Sequence, residues 1–397
     1  MNIHHISKRV QLSLLLCLSM CLGIGILRFS YTVLLPVTRE DFSWSLLFSS
    51  LLGSANLLGY FIGTFWAMCI AQNRKMITYL QVCAWAGTLS LLCCAFSGMP
   101  DFWYIFWRII SGISGAFMMI LSPSIVALCC QPSDRLFINF IGFTGIGLGV
   151  LLSTLFLPYL DQIGAYTGWL IFTGFAICIS IAILVLLSSI QHQLNLPSAS
   201  IQQNAKPPSL YFSLIIVYGC SAFAYVPHSL FWVDYLSHDL LLPLSVVNMN
   251  WILYGLGSAL GAGCSYLLAK SVGNLNALKI LYSVYIVAIF MATFSLPIFT
   301  FISSFLTGLL NPAVVFLTSF TILQLYTTSY KKLWSLATLG FASIQFLGGL
   351  TFSGLQKWGL DYHQQFLIAS FVLLLGVVQL FFWTRSPVKS TKKMRQI

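Results

Sequence analysis

Twelve long apolar stretches follow one another along this chain with little between them, and each is about as long as a bilayer is thick. A crossing helix takes about 20 residues at 1.5 Å each. The stretches cover residues 10–37, 45–71, 76–97, 102–130, 136–160, 167–190, 210–236, 246–270, 277–296, 298–325, 333–355 and 364–384, numbered here as spans 1 to 12. Lipid offers backbone amides no partners, so such stretches must pair their own polar groups and fold as helices. Only 7% of the 397 residues are charged, against about 25% in a soluble domain. That is too few to cover a water-facing surface. The expectation is an all-α polytopic membrane protein of twelve transmembrane helices.

The charges fix an orientation. With both termini on one side, fifteen of the nineteen basic residues fall there, from Lys8 and Arg9 through Arg74, Arg135 and Lys331 to Arg395. Arg39 and Lys357 take the other side, and Arg28 and Arg108 lie inside spans. The positive-inside rule then predicts a cytoplasmic (inner) membrane protein with both termini in the cytoplasm. The basic tail at 385–397 is a topology signal that can touch anionic lipid, and no nucleic-acid partner is expected. Span 1 is too long for a signal peptide, lacks a small-residue cleavage pattern and contains Arg28, so it reads as an uncleaved helix. The eleven cysteines sit almost wholly in apolar spans without a C-x-x-C or Cys/His cluster. They read as small packing residues, with no metal site and no cofactor expected.

The polar stretch 191–209, with Pro197, Pro207 and Pro208, reads as a linker between an N-terminal six-helix half (1–190) and a C-terminal half (210–384). Features recur across it at a nearly constant separation. Gly23 matches Gly219, and Ser111-Gly112 matches Thr307-Gly308, both 196 residues on. Gly59-x-x-x-Gly63 matches Gly257-x-x-x-Gly261, and Gly142-Phe143 matches Gly340-Phe341, both 198 residues on. A duplicated six-helix unit predicts two pseudo-symmetric halves with a site between them near the midplane. Small residues four apart let membrane helices approach closely. Gly59, Gly63, Gly257 and Gly261, with Gly145, Gly147 and Gly149 in span 5 and Gly348, Gly349 and Gly354 in span 11, are therefore expected at helix contacts, as surfaces along which the halves slide.

These residues resemble the major facilitator superfamily. Arg108-Ile-Ile-Ser-Gly112-Ile-Ser-Gly-Ala116 in span 4 is similar to that family's R-x-x-x-G-x-x-x-A element, and the Gly142–Gly149 run resembles its span 5 signature without the usual Gly-Pro pair. Gly23-Ile-Gly-Ile-Leu-Arg28-Phe-Ser-Tyr-Thr-Val-Leu-Leu-Pro36 resembles the opening helix of the YbfB/YjiJ-type branch, with altered spacing before Arg28. Gly59-Tyr60 and Gln345 also fit that branch. The resemblance implies the major facilitator fold, with spans 1, 4, 7 and 10 lining the cavity. It implies no particular cargo, because the branch has no firm common substrate. The 2–3 loop, Gln72-Asn73-Arg74-Lys75, lacks the acidic residue that the family signature carries. Asp134 in the 4–5 loop is expected to pair with Arg74 or Arg135 instead, as a weak gate on the cytoplasmic side.

Candidate site residues follow from cost. Arg28 lies nine residues before the outer end of span 1, about 14 Å deep, where an arginine costs at least about 2.5–3.5 kcal/mol to insert. It must face water or a partner, and its planar fork suits a carboxylate or phosphate. Arg108 is about 9 Å deep by the same rise, within reach of snorkelling outward. In span 7, Pro227 bends the helix beside His228, a candidate proton site, with Tyr225 and Asp234 nearby. Asn311-Pro312 offers an amide and a bend in span 10. Asn56, Gln81 and Gln345 are further polar candidates, and Trp85, Trp107, Trp251 and Tyr31 are aromatic ones. No G-x-x-x-x-G-K-[ST] motif is present, so ATP is not the direct energy source.

The expectation is a secondary active transporter of a small organic solute, working by alternating access as a monomer, with protons as a candidate coupling ion. Efflux of an amphiphile fits the aromatics, whereas uptake of an anionic metabolite or siderophore fits the arginines. The alternative is a transporter-like sensor that binds solute without net flux. The histidines are scattered, so no compact catalytic set is visible and no enzymatic activity is expected.

Overall fold

The computed structural model describes residues 3–70, 73–194 and 209–385. The linker and the basic tail lie almost wholly outside these residues. Twelve helices are long and apolar enough to cross a membrane, and no strand occurs among the described residues. Span 1 is Ile3–Met20, a π-helical turn Cys21–Ile26, and Leu27–Asp41. Spans 2 to 6 are Leu46–Cys69, Asn73–Cys94, Asp101–Cys129, Arg135–Leu155 and Leu160–Leu194. Span 7 runs through Ser209–Val226, Pro227–Phe231, Trp232–Asp234 and Tyr235–Asp239, the second and fourth segments being π-helical. Spans 8 to 12 are Leu244–Val272, Asn274–Met291, Pro297–Leu325, Tyr330–Lys357 and Tyr362–Arg385.

Local chemistry sets the ends. Ser45 caps span 2 by accepting from the Phe48 N–H at 3.1 Å. Pro297 occupies the first turn of span 10, where its missing N–H costs nothing. Gly273 (φ +80°) is the single residue between spans 8 and 9, a conformation open to glycine without strain.

The sequence repeat reappears in space as a reciprocal glycine lock. Span 2 packs on span 4, and span 8 packs on span 10. A Cβ at Gly59 would collide with the Ile109 carbonyl, and one at Gly112 with the Asn56 carbonyl. The second half repeats both contacts: Gly257 faces the Phe305 carbonyl and Gly308 the Tyr254 carbonyl. Gly63 on Ile113 corresponds in the same way to Gly261 on Leu309. Gly145 and Gly149 lie against Cys17 and Cys21 of span 1, and Gly348 against Phe223 and Val226 of span 7. All of these contacts fall within a half. The expectation that the halves slide on the span glycines is thereby corrected for these residues, whose backbones are locked to neighbours in the same half; Gly147, which meets the other half, is the exception.

Between the halves, span 5 meets span 8 and span 2 meets span 11, a pair of interfaces that the repeat exchanges. Here Gly147 lies against the Ser258 carbonyl, and Gly255 against Leu151 and Thr154. Near the end that carries Lys8, Arg135, Lys270 and Lys331, called the basic end below, the halves are joined by side chains. Arg135 Nη1 donates to Thr327 Oγ1 at 3.0 Å. Phe140 stacks on Tyr266 at 4.7 Å, and Trp334 Nε1 donates to the Met119 carbonyl at 3.0 Å.

Candidate functional site

Arg28 is the second residue after the π-helical turn of span 1, a local widening that often marks functional positions. Gly23 and Gly25 let that turn lie against Met118 of span 4 and Gly149 of span 5, which fixes where the arginine points. Its side chain is half-buried, and among the described residues no hydrogen bond or ion pair engages it. Its charge acts on the hydroxyls of Tyr60 in span 2, Tyr225 in span 7 and Tyr254 in span 8. The guanidinium lies 5.9 Å from the centre of the Phe29 ring, and hydroxyls of both halves fall within reach of its charge.

The hydroxyls form a set. Tyr225 and Tyr254 are hydrogen-bonded to each other, and the Asn311 amide of span 10 is within interaction range of Tyr225. Phe29 lies 6.0 Å from the Tyr254 ring, and Trp251 meets that ring edge-on at 5.2 Å. In a bonded tyrosine pair one hydroxyl proton is used between the rings and the other is free for an acceptor. A guanidinium with hydroxyl donors and aromatic rings in its neighbourhood suits an anionic or acceptor-rich group. The described carboxylates, Glu40, Asp41, Asp101, Asp134, Asp239 and Asp361, all stand at helix ends or in the turns between spans.

Arg108 lies behind this set. It is 2% exposed, its guanidinium is 4.1 Å from the Tyr31 ring, and Nη1 points to the Leu27 carbonyl at 3.4 Å. Ser111 Oγ donates to the same carbonyl at 2.9 Å, while Asn56 Nδ2 donates to the Arg108 carbonyl at 3.3 Å. The expectation that Arg108 snorkels outward is corrected: burial against Tyr31 holds it inside. Its contact with Leu27 puts it one residue from Arg28 along span 1.

His228 is packed within the second half. Its ring stacks on Trp232 at 4.5 Å, meets Phe366 edge-on at 4.9 Å and is 2% exposed. Ser303 Oγ gives its proton to the Ala288 carbonyl at 2.8 Å, so it accepts from His228 Nε2 at 2.9 Å. That leaves Nδ1 buried without a partner among the described residues. A second proton on this ring would be a buried donor with nothing to bind, so the arrangement fits a neutral ring. Gln345 is fully buried, with neither end of its amide bonded among the described residues. It lies one turn from Phe341, which packs on Tyr218, and near Gly348, which faces span 7.

At the basic end Asp134 lies 3.7 Å from Arg9, a partner not foreseen in the sequence, and Arg135 bonds Thr327 across the halves. The side chains of Arg74 and Asp234 lie outside the described set. Tyr254 and Trp334 were missed in the sequence. Tyr254 had a signal, since it stands 198 residues after the polar candidate Asn56.

Twelve helices in two pseudo-symmetric halves define a membrane transporter of the major facilitator type. The structure is similar to the crystal structure of a bacterial homologue of the iron transporter ferroportin in its outward-facing state. The TM-score is 0.70 at 15% identity, covering 95% of this chain and 99% of that one. The sequence model of the family described as "uncharacterised MFS-type transporter YbfB" matches residues 20–380, and the chain belongs to that family. No curated protein matches the sequence.

Proposed function

We propose that the chain is a secondary active transporter of a small organic anion, bound at Arg28 between the two halves and moved by alternating access. The observation that carries this reading is Arg28 itself, a half-buried guanidinium deep in span 1, unpaired among the described residues, whose charge reaches hydroxyls from both halves. A bound carboxylate or phosphate would offset the cost of holding that charge in the membrane. Tyr60, Tyr225, Tyr254 and Asn311 would supply donors around it, with Arg108 adding positive potential from behind.

The basic end faces the cytoplasm, supported by the fifteen-to-two distribution of basic residues outside the spans. The membrane is the cytoplasmic (inner) membrane, and one chain suffices because both halves of the site come from it. A membrane potential negative inside drives an anion outward by about 2.3 kcal/mol per charge per 100 mV, whereas uptake needs co-transported cations. A His228 ring packed as neutral, and described carboxylates confined to helix ends and turns, favour export or exchange over proton-driven uptake. The test is counterflow in proteoliposomes preloaded with candidate carboxylates, at imposed potentials of either sign. Efflux that accelerates with an inside-negative potential supports the reading; uptake that requires an inward proton gradient overturns it.

A further inference from the structure

A groove of about 510 Å³ opens on the outer surface between spans 9 and 12, away from the Arg28 site. Its volume falls within the range of small-ligand sites, about 300–1,000 Å³. Ser283, Ile286 and Val287 of span 9 form one wall, and Leu374, Val378 and Phe382 of span 12 the other. Four of these apolar side chains are 41–67% exposed although they face a cleft. Lys279 stands at the basic end of the groove, its Nζ 5.2 Å from the centre of the Phe381 ring, which also lines the groove. Among the described residues no carboxylate pairs with Lys279.

We propose that this groove is a binding site for an anionic glycerophospholipid, one acyl chain lying between spans 9 and 12 and the headgroup phosphate on Lys279. The axial positions agree with that ligand. Lys279 is five residues into span 9, about 8 Å from the start of the helix, and a lysine of that length lifts its ammonium to headgroup level. From there the groove runs toward the bilayer centre, from Phe382 to Leu374 along span 12 and from Ser283 to Val287 along span 9. A soluble anion would leave the apolar walls bare. A zwitterionic lipid carries its own cation beside the phosphate and gains less from Lys279. Basic sites between helices at this level are a known mode of anionic-lipid capture. The proposal does not depend on what the Arg28 site carries.

Native mass spectrometry of the full chain in detergent, titrated with phosphatidylglycerol or phosphatidylcholine of identical acyl chains, tests it. Wild type should bind one phosphatidylglycerol roughly fivefold more tightly than phosphatidylcholine. Lys279→Gln should remove that preference. Lys270→Gln, an exposed lysine at the same end, should keep it. Val378→Trp should fill the groove and weaken both lipids with Lys279 intact, and each variant is checked for wild-type melting. A preference that survives Lys279→Gln, or falls equally in Lys270→Gln, overturns the headgroup assignment. Unchanged binding in Val378→Trp overturns the groove.

Discussion

The indole N–H of Trp334 in span 11 donates to the carbonyl of Met119 in span 4, 3.0 Å away and across the two halves. That carbonyl is free because the residue four positions on is Pro123, which has no N–H to give it. The same device closes a gap within the second half, where Ser258 donates at 3.2 Å to the Gly308 carbonyl left free by Pro312. A break in span 4 is therefore repaired only when the halves are together at the basic end. Trp334→Phe should leave a buried acceptor unpaired at a cost of about 1–3 kcal/mol, shifting the closed state by roughly 5–150-fold. Distance measurements between spin labels on the basic ends of spans 4 and 10 read this shift. In a Pro123→Ala background the Ala N–H supplies the donor, so the effect of Trp334→Phe should shrink. Equal effects in both backgrounds would refute the coupling.

The reciprocal glycine lock makes a second prediction. Gly59→Val and Gly257→Val push side chains into the Ile109 and Phe305 carbonyls, and overpacking of this kind costs about 1–3 kcal/mol. Both should lower the melting temperature in detergent by similar amounts, because the contacts are equivalent. Gly174→Ala, where an added Cβ meets nothing within 4 Å, should be neutral. Gly147→Val, which strikes span 8 in the other half, should reduce flux more than it reduces stability. A Gly59→Val protein that melts like wild type would contradict the lock.

His228 supplies a third. Gln at this position keeps an N–H donor for Ser303 and cannot titrate. If the ring is a neutral packing group, His228→Gln should leave the pH profile of transport unchanged between about pH 5 and 8. Loss of an acid or alkaline limb in that variant would make His228 a coupling group.

Much of the architecture was legible because the bilayer leaves few options: length, apolarity and basic-residue bias predict twelve helices, and the repeated glycines predict paired halves. Arg28 stands out in the sequence for the same reason, since a charge at that depth is expensive without a use, and its proposed role is what binding measurements test. What the sequence did not reveal depended on partners far apart along the chain. Trp334 is one of eleven tryptophans, and nothing local distinguishes it. Its role follows from Pro123, 211 positions earlier. The snorkelling expected of Arg108 failed because Tyr31 and the Leu27 carbonyl give it a place inside. The glycine motifs announced close packing but not the partner. It proved to be in the same half for Gly59, Gly63, Gly145, Gly149, Gly257, Gly261 and Gly348, and in the other half for Gly147.

The central claim is that Arg28 reads a negative charge. The most direct measurement is binding of a carboxylate and its neutral amide isostere to the purified protein, for wild type, Arg28→Gln and Arg28→Lys. Charge-assisted hydrogen bonds are worth about 1.5–3 kcal/mol, so wild type should prefer the carboxylate by at least roughly tenfold. Arg28→Lys should keep part of that preference, and Arg28→Gln should lose it with the fold intact. Equal binding of carboxylate and amide to wild type, or an undiminished preference in Arg28→Gln, would contradict the account.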